Sequence, residues 1–232
     1  MRRALLLLLA LSLAPPVKAQ SPCAALGGVN DLPLVERSVR GSGDLFAVLV
    51  TGDGGWMRID RKLADRLLEG GVPVVGFLSR YFGTRRTPEE TACALERVIE
   101  HYSLQWARGH VILIGYSRGA DVLPFMASRL SPVVKQKVSL IALLGLEPSI
   151  DFEYHPPWSP AAWFRHPPQY PVGPELDKLR GQRVLCVYGE DEPDSLCPGL
   201  DPHFFTLLRE PGGHHFGGRY SEIGAEILRQ AR

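Results

Sequence analysis

The stretch His110–Gly119, HVILIGYSRG, decides how the chain is read. HVILI is an apolar, β-branched run of the kind that forms a strand buried on both faces. Gly115-Tyr116-Ser117-Arg118-Gly119 then completes a G-x-S-x-G motif, and RGADVLPFMASRL continues in helix-compatible fashion. G-x-S-x-G alone is a common pattern; the strand before it and the helix after it give it meaning. A strand–Ser–helix turn projects the hydroxyl beyond the top of a sheet, and the flanking glycines leave room for the strained backbone. The same oxygen lies at a helix N-terminus, where backbone N–H groups favour negative charge. Ser117 is therefore the candidate nucleophile. Pro124, seven residues on, is expected to kink or shorten the helix.

Outward from this turn, apolar runs alternate with amphipathic segments, the pattern of strands joined by crossover helices. Strands are expected at Leu45–Thr51, Val72–Leu78, Val138–Leu144, Val184–Tyr188 and Phe205–Leu208. Asp60–Glu69 reads as a helix with Leu63, Leu67 and Leu68 on one stripe. Thr87-Pro88-Glu89-Glu90 reads as a helix start, Thr87 capping and Glu90 closing a capping box. Ser221–Gln230 closes the chain as an amphipathic helix. The expected fold is α/β, a mostly parallel sheet flanked by helices. Residues 155–174 break the rhythm with seven prolines and Trp158, Trp163, Phe164 and Tyr170. That composition excludes a core helix or strand and suits a lid-like excursion.

A serine nucleophile needs a general base. Gly212-Gly213-His214-His215-Phe216, just beyond the last strand, supplies one; His214 is chosen as the base, with His215 packing beside it or binding substrate. A carboxylate must orient the imidazole. Glu190, Asp191, Glu192 and Asp194 compete on the loop after Tyr188, with Asp194 narrowly ahead of Glu192. Thr51-Gly52-Asp53-Gly54-Gly55-Trp56 follows the first strong strand and offers unobstructed backbone N–H groups. Donors at Gly54, Gly55 and Trp56, together with the N–H of Arg118, are expected to form an oxyanion hole. Arg80, Arg85 and Arg86 flank Tyr81-Phe82; Arg80 and Arg86 are candidates for binding an anionic substrate group. Metal-ligand spacing is absent from both the cysteines and the histidines, so neither metal nor cofactor is expected.

The length of 232 residues suits one domain of roughly 200–250 residues. With 26 basic against 25 acidic residues there is no basic excess to point to nucleic acid. Residues 1–19, MRRALLLLLALSLAPPVKA, have the basic start, short apolar run and small-residue end of an export leader cleaved near Ala19. The domain is then 20–232, and the expected compartment is oxidising. Its four cysteines allow three pairings. A local Cys186–Cys197 bridge is favoured because Cys197 lies in the loop after the strand holding Cys186, which leaves Cys23–Cys93 to staple the N-terminus to a helix.

Several segments together resemble the VirJ/AcvB family of bacterial virulence-associated proteins: TGDGGW, RYFGTRRTPEETA, LIGYSRGADVLPF, LLGLEPSIDFEY, CVYGEDEPDSLC and PGGHHFGGRY. They run in order from about residue 45 to 225, as in the short form with one hydrolase domain. The resemblance implies a periplasmic α/β-hydrolase with Ser117, His214 and an acid from the Glu192/Asp194 pair, and a Cys186–Cys197 bridge. It also implies a link with virulence and type IV secretion components, and hydrolysis of aminoacyl-phosphatidylglycerol. Arg118 departs from the family pattern, where an aromatic residue is expected.

The sequence thus points to a periplasmic serine esterase acting on an ester or lipid substrate. Peripheral membrane contact would run through Trp158 and Trp163, which favour a lipid interface. Two rivals stand beside it: a general soluble carboxylesterase, and a non-catalytic secretion assembly or chaperone factor that keeps the fold for binding.

Overall fold

A computed structural model of the chain describes residues 23, 28–39, 41–153 and 170–232. The expected leader and most of the aromatic excursion, Trp158 and Trp163 included, lie outside the described residues. Among those described, β1 (Leu34–Arg37), β2 (Leu45–Val50), β3 (Val74–Phe77), β4 (His110–Tyr116), β5 (Val138–Leu144), β8 (Val184–Gly189) and β9 (Thr206–Glu210) form one sheet. Its order is β1-β3-β2-β4-β5-β8-β9. Only the β1–β3 pairing at one edge is antiparallel. The central strands read as continuous apolar runs because both faces are covered: Phe46–Val50 and Val111–Ile114 are buried throughout.

Helix α1 (Arg58–Glu69) and the C-terminal α6 (Tyr220–Ala231) cover one face. Leu63 and Leu67 of α1 share a core cluster with Ile223 and Ile227 of α6 and with Leu49 and Ile114 of the sheet. Each such side chain, fully buried, contributes about 1.5–3 kcal/mol, enough to dock both helices without specific polar contacts. The other face is covered by α2 (Pro88–Gln105) and α3 (Arg118–Ser128), through Leu95, Val98, Ile99 and Val122. The short α4 (Pro132–Lys135) follows α3. Thr87 caps α2 as expected: its side chain accepts from Glu90 N–H at 3.1 Å and Glu90 Oε2 accepts from Thr87 N–H at 2.8 Å. Pro124 does not end α3, which carries it inside and runs on to Ser128.

Residues 170–174, counted with the excursion, are in part regular. The two-residue strands β6 (Ser149–Ile150) and β7 (Tyr170–Pro171) pair antiparallel, and α5 (Gly173–Asp177) begins directly after. Val172 and Leu176 are buried in the core, which is what fixes this end of the excursion. Both bridges are formed, Cys186–Cys197 and Cys23–Cys93. The first closes the loop that carries the acidic run after β8.

The chain leaves β2 through α1 to β3 on one side, then crosses by α2 to β4 on the other. The β2/β4 boundary is therefore the topological switch point, where α/β sheets open a crevice at the carboxyl ends of their strands.

Candidate active site

Ser117 stands at the carboxyl end of β4 with φ 54° and ψ −127°, between the strand and α3. A non-glycine residue at positive φ is strained, and here the surroundings over-determine it. Its N–H donates to Leu144 O at 2.9 Å, and its carbonyl accepts from Ala120 N–H at 2.6 Å and Asp121 N–H at 3.1 Å. The motif glycines are there because backbone packs on backbone: a Cβ on Gly115 would collide with the Gly119 carbonyl, and one on Gly119 with the Val50 carbonyl.

His214 follows β9 and is half-buried. Its Nδ1 lies 2.5 Å from Glu192 Oε1. Glu192 is set by its own turn: its N–H donates to Gly189 O at 3.2 Å, and its Oε2 accepts from Gly189 N–H at 3.1 Å. The carboxylate that meets the imidazole is thus Glu192, and the narrow preference for Asp194 is corrected. The turn aims Glu192 inward at the end of β8, whereas Asp194, two residues on, is exposed. The hydrogen bond to Glu192 raises the pKa of His214 against the opposing effect of burial, and nearby Glu147 adds to the rise. Burial works against the ionised form of Glu192, but the bonds from His214 and Gly189 outweigh it and hold its carboxyl below the usual range. Both shifts favour an ion pair.

Gly145, at φ +67°, lets the end of β5 pass beneath this pair. A Cβ there would stand 2.6 Å from His214 Cε1 and 3.3 Å from Glu192 Oε1. Gly145→Ala is accordingly expected to displace the imidazole and slow acylation about 30-fold, since sub-ångström misplacement of a catalytic group costs tens-fold in rate. The far-ultraviolet circular dichroism should stay that of the parent; an unchanged rate would contradict the packing.

In the Gly52–Trp56 loop one of the expected donors is already engaged. The N–H of Gly55 is taken by Gly52 O at 2.9 Å. The Trp56 ring lies over Gly76 of β3, and a Cβ on Gly54 would meet the Met57 side chain. The part of the loop that reaches Ser117 is Gly52, where a Cβ would stand 3.1 Å from Ser117 Cβ. Asp53, next in line, pairs with the Arg118 guanidinium, whose Nη1 also donates to Asp151 O at 2.7 Å. Arg118 therefore ties the glycine loop to the turn, and its charge is already met by Asp53.

A cleft of about 260 Å³ opens beside His214, lined by Glu147, Asp191, Glu192, Pro193 and Asp194. Arg80 and Arg86 do not line it. They border a separate cleft of about 520 Å³ with Tyr81 and Arg97. The Arg86 guanidinium lies 4.6 Å from the Tyr81 ring centre, and its backbone N–H donates to Phe152 O. His215 is exposed, and its Nδ1 lies 2.9 Å from the Tyr116 hydroxyl. The sequence alone assigns Tyr116 no role, and its place next to Ser117 in the motif is the one signal that marks it.

The profile of the family described as bacterial virulence protein (VirJ) matches residues 44–232. The chain belongs to the VirJ family. No curated protein sequence matches this VirJ-family chain. Among solved structures it is similar to an esterase from Pyrococcus furiosus, with a TM-score of 0.60 at 12% identity over 93% of this chain and 95% of that one. Est1E from Butyrivibrio proteoclasticus with bound ferulic acid gives 0.59 at 12% identity, over 85% and 93%. A monoacylglycerol lipase from Paleococcus ferrophilus gives 0.57 at 14% identity, over 86% and 99%. The VirJ-family chain thus has the α/β-hydrolase fold. Among the described residues no helix is long and apolar enough to cross a membrane.

Proposed function

We propose that the protein is a periplasmic serine hydrolase that cleaves the aminoacyl ester of aminoacyl-phosphatidylglycerol, with Ser117, His214 and Glu192 as its triad. The observation that carries this reading is the 2.5 Å Glu192–His214 contact, on the sheet end where Ser117 is held at positive φ. Ser117 Oγ attacks the acyl carbonyl carbon while His214 takes its proton. The tetrahedral oxyanion is held by the N–H of Arg118 and by a backbone N–H of the Gly52–Gly54 segment. Collapse breaks the bond to the glycerol oxygen, which leaves with the proton from His214. Water, deprotonated by His214, then cleaves the acyl-serine and frees the amino acid.

Two further features support the substrate. The carboxylates of Glu147, Asp191 and Asp194 beside His214 suit a cationic aminoacyl group. Arg80 and Arg86 suit the lipid phosphate, on a loop joined to residues 151–152 and through them to Arg118. The resemblance to VirJ proteins and the two bridges support export and a link to secretion. The esterase and lipase neighbours support ester chemistry in general.

The test is fluorophosphonate labelling of the purified protein, with the adduct mapped by peptide mass, followed by assay on vesicles containing lysyl- or alanyl-phosphatidylglycerol and on a short soluble ester. Labelling at Ser117 with release of amino acid from the vesicles is the expected result. Labelling with hydrolysis of the soluble ester alone would make the protein a general carboxylesterase. Absence of labelling in folded protein between pH 6 and 9 would overturn the hydrolase reading in favour of a binding role in secretion.

A further inference from the structure

Tyr116 is the residue before the nucleophile, and its side chain is 6% exposed. Its ring centre lies 5.3 Å from that of His214 at an interplanar angle of 34°, and 6.4 Å from that of His215. It also meets Phe216 edge-on, with ring centres 6.3 Å apart. The hydroxyl reaches His215 Nδ1 at 2.9 Å and more distantly the backbone carbonyl of His214 at 3.4 Å. One side chain on β4 thus touches three consecutive residues of the loop that carries the base, across about a hundred positions of sequence. We infer that Tyr116 is a positioning residue, fixing the His214 imidazole relative to Ser117, and that His215 serves this grip by holding the Tyr116 hydroxyl.

The loop Gly212–Gly218 is held by backbone bonds of its own, Phe216 N–H to Gly213 O and Gly218 N–H to His215 O, both at 2.8 Å, but these leave the His214 side chain itself unfixed. The Glu192 contact fixes one end of the imidazole but leaves the ring free to pivot about Nδ1. A ring packed against its face and a hydroxyl bonded to its backbone remove that freedom. The hydroxyl has a single proton, and it satisfies both contacts when His215 carries a proton on Nδ1: His215 then donates to the hydroxyl, and the hydroxyl donates to His214 O. Burial holds the phenol neutral by raising its pKa. Glu192 and Glu147 both raise the pKa of His214, and Asp191 and Asp194 line the same cleft.

This inference rests on the serine-hydrolase reading for its rate measurement and on geometry alone for its spectroscopic one. The rate is that of fluorophosphonate labelling in Tyr116→Phe, His215→Ala and the double variant. Each single variant is expected to label about 10-fold more slowly, and the double variant no more slowly than either, because the two act as one unit. His215→Gln, which keeps a hydrogen-bonding group, should recover part of the loss. Independently, the ¹⁵N ring signals of His214 should show its titration midpoint lowered in Tyr116→Phe, towards the ordinary 6.5, as the bond to Glu192 loosens. Additive rate losses, or an unmoved midpoint together with parental labelling, would overturn the inference. Failure of the parent protein to label would count against the hydrolase reading, and the midpoint would then decide the positioning role by itself.

Discussion

Glu192→Gln is expected to lower the rate of acylation about 10⁴-fold, while Asp194→Asn leaves it within about twofold. The difference follows from what each carboxylate touches. Glu192 accepts from the Nδ1–H of His214, which leaves Nε2 unprotonated to receive the serine proton. A glutamine amide at that place donates to Nδ1 and selects the tautomer with Nε2 protonated, which cannot act as a base. Ser117→Ala sets the floor, about 10⁶-fold below the parent. Asp194 is exposed, so its amide variant alters only the field of the acidic cleft.

The pH dependence gives the same prediction a second reading. His214 must be neutral to accept the proton, and its bond to Glu192 holds its pKa above 6.5. The acid limb of kcat/KM in the parent is therefore expected to have its midpoint above 6.5, with activity rising as pH increases through it. In Glu192→Gln the main favourable partner is gone and burial is opposed only by the weaker pull of Glu147, so the limb moves to lower pH even as the plateau falls. Stopped-flow acylation between pH 5 and 9 measures both. Parental kinetics in Glu192→Gln, or a large loss in Asp194→Asn, would reverse the assignment.

The chain's own letters carry most of the fold and part of the site, and the division has physical causes. Central strands such as Val138–Leu144 are legible because two buried faces demand an unbroken apolar run. Thr87–Glu90 is legible because a capping box is satisfied within four residues. Strand β1, LVER, passes unnoticed: it is short, lies at an edge, and among the described residues pairs only with β3, about forty residues on. The choice between Glu192 and Asp194 fails for a related reason. Four carboxylates in five positions are equivalent in composition, and only the turn that returns Glu192 to Gly189 separates them. Gly55 likewise has a donor on paper, spent in a turn that glycine content cannot reveal. Tyr116 lies inside the most informative motif of the chain, yet its partner is 99 residues away.

Asp60→Asn is expected to abolish a pH-dependent loss of stability that reaches about 3 kcal/mol in the parent, the size of a shift from 3.8 to about 6. Asp60 lies in the first turn of α1, where its Oδ2 accepts from Met57 N–H at 2.8 Å. Its Oδ1 is buried with no hydrogen-bond partner. Burial is the main reason its pKa is raised, against the lowering effects of the backbone bonds and of Arg61. The folded state therefore keeps the proton that the unfolded chain releases near 3.8. Between these two values the native protein binds more protons than the unfolded one, so stability falls as pH rises. The penalty is absent below 3.8, grows up to about 6 and stays constant above it. Asparagine keeps the acceptor for Met57 N–H and has no charge to bury. Urea unfolding of both proteins at pH 4, 5, 6 and 7 isolates this residue, because all other titrating groups, His214 among them, cancel in the difference between parent and variant. The parent's stability relative to the variant should drop by about 2.4 kcal/mol across the series, about 0.6 kcal/mol of the full penalty being already present at pH 4. Parallel stability curves would mean that water or a neighbouring group already solvates the Asp60 carboxylate, and that the start of α1 is more open than its packing against β2 and α6 implies.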